Sequence, residues 1–141
     1  MITFFIPGIP APKGSRRHFV KSGKVVSVDA NPKTRPWEMD VAWVTREKMN
    51  GKSPLHGPIG VRVAFQMPRL KSTPKAARWH TKKPDIDKLE RALLDGLKLG
   101  GAYVDDSQVC RVDKCKRYEM PNATEMSAGP GVWVSIWEEQ A

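Results

Sequence analysis

The sequence predicts an α+β domain in which a mixed, mostly antiparallel sheet of about five or six strands carries two main helices. Apolar runs alternating with period two recur at the start, middle and end of the chain, and two segments with helical spacing lie between them. The 141 residues are enough for one core and too few for two, so residues 1–141 read as a single domain.

Taken in order, Ile2 to Ile6 is an apolar strand stopped by Pro7 and Gly8. The run Pro10 to His18 is a loop, stiff at its prolines and free at Gly14. It carries Lys13, Arg16 and Arg17, which suit a phosphate backbone. Phe19-Val20 and Val25 to Val28 flank Ser22-Gly23 and predict a hairpin. Thr34 is the expected N-cap of a helix reaching about Met49, with Pro36 tolerated in the first turn and Trp37, Val41 and Val44 on the buried face. A tryptophan so placed belongs to the core more readily than to a stack on an unpaired base.

Gly51 ends that helix, and Ile59 to Met67 alternates as a half-buried strand. Periodicity then disappears from Pro68 to Lys75, which with Arg78, Lys82 and Lys83 makes a cationic approach to the segment that follows. Gln108 to Tyr118 is a long strand with no cleanly apolar face. Met120 to Gly131 is a loop, and Val132 to Trp137 closes the fold as a strand.

Composition narrows the function. With 24 Lys and Arg against 15 Asp and Glu, the net charge of +9 favours a polyanion, nucleic acid above all. No run of 18 apolar residues exists to span a membrane. The apolar opening is broken by Pro7 and Pro10 and has no charged leader, so it reads as a strand and the expected location is cytoplasmic. Cys110 and Cys115 lie five apart on one strand, hence on opposite faces, and read as unbridged core thiols. His18, His56 and His80 have no metal-ligand spacing.

The stretch from Lys82 to Ser107 puts acid into this basic chain. Asp85, after Pro84, is the first position that can cap a helix. From there Ile86, Leu89, Leu93 and Leu97 form one apolar stripe with Leu94 on its shoulder. Asp87, Arg91, Asp95 and Lys98 face solvent or a groove on the other side. Glu90 falls within the apolar stripe, and nothing in the pattern accounts for it short of a cationic partner. Gly100-Gly101 ends the helix before a second acidic pair, Asp105 and Asp106. A short strand returning beside the helix start would join the two pairs, and such hard oxygen donors suit Mg²⁺ or Mn²⁺. Spacing alone favours helix capping and an ordinary turn over such a cluster.

The run Lys83-Pro84-Asp85-Ile86-Asp87, then Leu94-Asp95-Gly96-Leu97, then Tyr103-Val104-Asp105-Asp106-Ser107-Gln108-Val109, resembles the signature of the RusA family of Holliday junction resolvases. The resemblance implies a small homodimeric endonuclease, often encoded by phages and prophages, that resolves four-way or otherwise branched DNA with Mg²⁺ or substituting Mn²⁺. It makes Asp85, Asp87 and Asp106 the catalytic metal ligands. Arg91 stands where the family usually has Lys, and Lys88 where it usually has Asn. An arginine keeps its charge and can clamp a phosphate, but is a poor proton donor. Lys13, Arg16, Arg17, Lys82 and Lys83 are the expected DNA contacts, Lys82 and Lys83 because Pro84 holds them beside Asp85. The expected setting is the cytoplasm of a bacterial or phage-infected cell. The competing reading is a structure-selective DNA-binding protein without catalysis.

Overall fold

The computed structural model of the protein describes residues 1–14, 16–29, 31–120 and 129–140. Its elements in chain order are β1 (Ile2–Pro7), β2 (Arg16–Lys21), β3 (Lys24–Asp29), α1 (Thr34–Met49), β4 (Ile59–Met67), α2 (Ile86–Leu99), a short 3₁₀ turn (Asp106–Gln108), β5 (Val109–Tyr118) and β6 (Gly131–Glu138). The main sheet has four strands in the order β1-β6-β4-β5. β6 runs antiparallel to both β1 and β4, whereas β4 and β5 are parallel. A parallel pair needs a crossover, and α2 lies within it. This is the expected α+β arrangement, with the remaining two strands, β2 and β3, set apart as a ribbon of their own.

β4, expected as a half-buried strand, is instead buried on both faces along nearly its whole length, with Arg62 the one exposed position, because it lies between two other strands. Val61, Val63 and Phe65 join Phe4, Ile6, Val132, Val134 and Ile136 in the core. The helices supply Trp37 and Val41 from α1 and Leu89, Leu93 and Leu97 from α2, so the stripe read from the sequence is the packing face. Truncating a fully buried leucine such as Leu93 to alanine costs about 2–5 kcal/mol. The tryptophan on the buried face of α1, Trp37, is core.

The two helices pack closely on each other through Gly96 of α2 and, one turn later, its C-cap Gly100. A Cβ on Gly96 would lie 2.6 Å from Val41 Cγ1, and one on Gly100 would lie 2.7 Å from the Ala42 carbonyl oxygen. α1 starts at Thr34, but Lys33 is its N-cap. The Thr34 hydroxyl instead donates to the Pro12 carbonyl at 2.6 Å, tying the loop after β1 to the helix.

Strand β2 begins at Arg16, so Arg16 and Arg17, expected in a loop, lie on the ribbon. The Arg16 side chain donates to both the Ser27 hydroxyl and the Ser27 carbonyl, which holds the strand ends together. Every residue of β2 is exposed. Val20 and Val25 face each other across the ribbon at 71% and 75% exposure, and Lys21 pairs with Lys24 beside the turn. Cys110 is exposed and Cys115 half-buried, both as free thiols. The core reading of Cys110 fails because β5 borders the sheet and has no apolar face. Among the described residues, no helix is long and apolar enough to cross a membrane.

Candidate active site

Asp85 is the N-cap of α2 in extended geometry, yet its side chain makes no capping hydrogen bond. The carboxylate is left for other partners, and Lys88 Nζ lies 3.8 Å away. The segment ahead of it is anchored from β5. Lys116 donates to the carbonyls of Lys82 and Pro84, each at 2.6 Å, across a cis Lys83–Pro84 peptide. Lys82 and Lys83 remain exposed on this loop. Asp85 and Lys83 line a pocket of about 690 Å³ that also touches Lys13, Gly14, Asn31 and Lys88.

The second acidic pair divides its work. Asp105 caps the 3₁₀ turn, accepting from the Ser107 backbone N–H, while the Gln108 side chain returns to the Asp105 backbone. Its carboxyl is held well below the usual range by the Ser107 hydroxyl, the Ser107 backbone and Lys98, whose Nζ lies 3.1 Å away. The capping and turn reading therefore describes Asp105. Asp106 is left to face α2.

A smaller pocket of about 290 Å³ gathers Asp87, Glu90, Arg91, Leu94, Asp95 and Asp106. Asp87 and Asp106 thus share one surface, although the element that brings them together is a 3₁₀ turn rather than a returning strand, and it meets the middle of α2 rather than its start. Asp85 sits on the wall of the neighbouring pocket. Among the described residues, no three His, Cys, Asp or Glu side chains are already grouped as a metal cage. Glu90 has the cationic partner its position demanded, in an ion pair with Lys114.

Asp95, which sequence reasoning placed only on a groove-facing stripe, sits beside Asp106. Burial, followed by the hydrogen bond to Asp95 and its charge, pushes the Asp106 carboxyl up to about 6. Burial also raises Asp95, but the hydrogen bond it accepts from Asp106 and its contact with Lys13 outweigh that and hold it below its usual value. Asp106 in its protonated form is therefore the donor of this pair. The Tyr103 hydroxyl, buried beside them, donates to the Leu94 carbonyl at 2.7 Å, and burial together with Asp106 raises its pKa. Asp106 Oδ1 is shielded from solvent and has no hydrogen-bond partner among the described residues. An orphaned carboxylate oxygen beside a second carboxylate is electrostatically unfavourable until a proton or a cation joins it, so the donors present fit a hard divalent ion.

Lys13 does not project toward solvent. Its Nζ lies 3.0 Å from Glu38 Oε1 and 2.8 Å from Asp95 Oδ2, and its backbone N–H donates to the Lys88 carbonyl at 3.0 Å. Burial alone would lower its pKa, but hydrogen bonds to the two carboxylates raise it instead. Gly14 follows with φ +144, and a Cβ there would come within 3.4 Å of the Arg91 guanidinium. Arg91 itself is exposed at the pocket rim. No local sequence signal marks Glu38 or the inward turn of Lys13.

The chain falls in a class of DNA-cutting enzymes, the endodeoxyribonucleases. The family model described as Endodeoxyribonuclease RusA matches residues 7–127, and the chain belongs to that family. The Crossover junction endodeoxyribonuclease RusA of Aquifex aeolicus (strain VF5) is 25% identical to it over 118 residues, covering 84% of this chain and 82% of that one.

Proposed function

We propose that the protein resolves four-way DNA junctions by Mg²⁺-dependent phosphodiester cleavage. The observation that carries this reading is the juxtaposition of Asp87, Asp95 and Asp106 in one pocket of a chain with a net charge of +9. Asp106 and Asp87 would hold the ion, with Asp85 reaching in from the adjoining wall, and Mn²⁺ would substitute. When bound, the ion supplies Lewis acidity, nucleophile activation and leaving-group stabilisation.

The chain's own residues do the rest. Arg91, at the rim, clamps the phosphate as a fixed-charge fork and does not donate a proton. Lys82 and Lys83, exposed beside Asp85, grip flanking phosphates, and Arg16 and Arg17 on the ribbon extend that grip. Two symmetric nicks across a junction call for two such sites, and a homodimer supplies them through a two-fold axis.

The test is a junction-cleavage assay with and without Mg²⁺, on the parent and on Asp106→Asn and Asp87→Asn. Cleavage that requires Mg²⁺ and disappears in both variants, with junction binding retained, supports the reading. Unimpaired cleavage by either variant overturns it.

A further inference from the structure

The ion-paired lysine under the acidic pocket has a place in the proposed chemistry that a DNA contact would not explain. Glu38 lies on α1 at 1% exposure, and such a carboxylate is retained only with a cation beside it. Lys13 supplies that cation from the loop after β1. The same ammonium spans to Asp95 on α2, and Asp95 lines one pocket with Asp106 of the 3₁₀ turn. Elements from four places in the chain are thus joined in one line. It ends at a carboxylate whose Oδ1 is shielded from solvent and, among the described residues, has no hydrogen-bond partner.

The remaining supports of Lys13 fix its position further. Its N–H is bound to Lys88, and Pro12 before it accepts from Thr34. A lysine held at backbone and ammonium together is poorly placed to swing out to a phosphate. Carboxylates that bind a metal are in turn oriented by outer partners, whose loss weakens metal binding without removing a ligand.

We propose that Lys13, seated on Glu38, is a positioning residue of the metal site: it holds Asp95 in place and offsets its charge beside Asp106, where the ion would sit. This rests on the metal-dependent reading above. It assigns Lys13 and Asp95 to the outer shell of the ion and takes Lys13 out of the group of DNA contacts.

The experiment is a Mn²⁺ titration of the DNA-free protein, followed by electron paramagnetic resonance. It compares the parent, Lys13→Met/Glu38→Met, Lys13→Arg and Asp106→Asn. The double variant removes the fully buried Glu38 carboxylate together with Lys13, so no charge is stranded in the core, and thermal melting checks its fold. The expected result is Mn²⁺ affinity about 10–100-fold weaker in the double variant, with Lys13→Arg restoring most of it and metal-free junction binding unchanged. Parent-like Mn²⁺ affinity in a folded double variant, while Asp106→Asn loses the ion, overturns this inference and leaves the metal site standing. Loss of junction affinity without loss of Mn²⁺ makes Lys13 a phosphate contact and also overturns it. Parent-like Mn²⁺ binding by Asp106→Asn overturns the metal-site reading itself.

Discussion

Two groups of cations in this protein differ in almost everything except charge. Lys13 is enclosed, and two carboxylates meet its ammonium within 3.0 Å. Lys21 and Lys24 stand exposed as a cross-strand pair on a ribbon whose strands hydrogen-bond to each other. Like charges directly opposite each other weaken a ribbon, and an isolated two-stranded ribbon is marginal in water. A polyanion laid across it would relieve both problems. The contrast teaches that a positive residue in a nuclease is not thereby a DNA contact: surroundings decide whether the charge serves the substrate or the geometry of the acids.

The largest effect that tests this contrast lies at the acids. Asp106→Asn should abolish Mg²⁺-dependent junction cleavage while leaving gel-shift affinity for the junction near the parent value. Next comes the inner cation. Lys13→Met alone strands Glu38 in the core with Arg35, 3.8 Å away, as its remaining cation among the described residues, and should cost about 3 kcal/mol in urea unfolding. A loss below about 1 kcal/mol would show that the enclosed pair carries no structural role.

For the outer cations the expectation is reversed. Arg17→Gln/Lys21→Gln/Lys24→Gln should leave unfolding almost unchanged but weaken junction binding about tenfold at moderate salt. It should also flatten the dependence of log K on log salt by roughly 2–3. An unchanged salt slope would remove the ribbon from the DNA interface.

A finer distinction comes from pH. Asp106 has a native pKa of about 6, above its ordinary value near 3.8, so the native state holds the extra proton between those limits. The stability this confers is complete below the ordinary value and is lost as pH rises through about 6. Without metal, Asp106→Asn should therefore melt at a higher temperature than the parent at pH 7.5, and the gap should close toward pH 5. A gap that widens on acidification would contradict the pairing with Asp95. The smallest effect belongs to Arg62 and Asp113, whose side chains are both 66% exposed. Arg62→Ala should change stability by less than about 1 kcal/mol.

Much of the scaffold was legible because its physics is local. The stripe through Leu89, Leu93 and Leu97 needs only 3.6 residues per turn, and β4 was readable from its alternation to the residue. The strand order was not, since nothing within β4 or β5 states that they run parallel. At the site, Asp87, Arg91 and Asp95 were placed together on a groove-facing stripe. Which wall would close that groove depended on the 3₁₀ turn at Asp106, a feature of three residues with no periodicity to detect. Lys13 was legible as a charge, but its direction was set by Glu38, 25 residues later in the chain on a helix whose own pattern shows only amphipathicity.

The glycines at the α1–α2 contact then take on a meaning beyond packing. Because Gly96 directly follows Asp95 and α1 presses against it, the gap between the helices sets how far Glu38 stands from the acids. A single methyl group at position 96, deep inside between the helices, would act as a wedge under the acidic pocket. Substitutions that impair cutting should therefore be sought along this hidden seam as well as on the surface that meets the substrate.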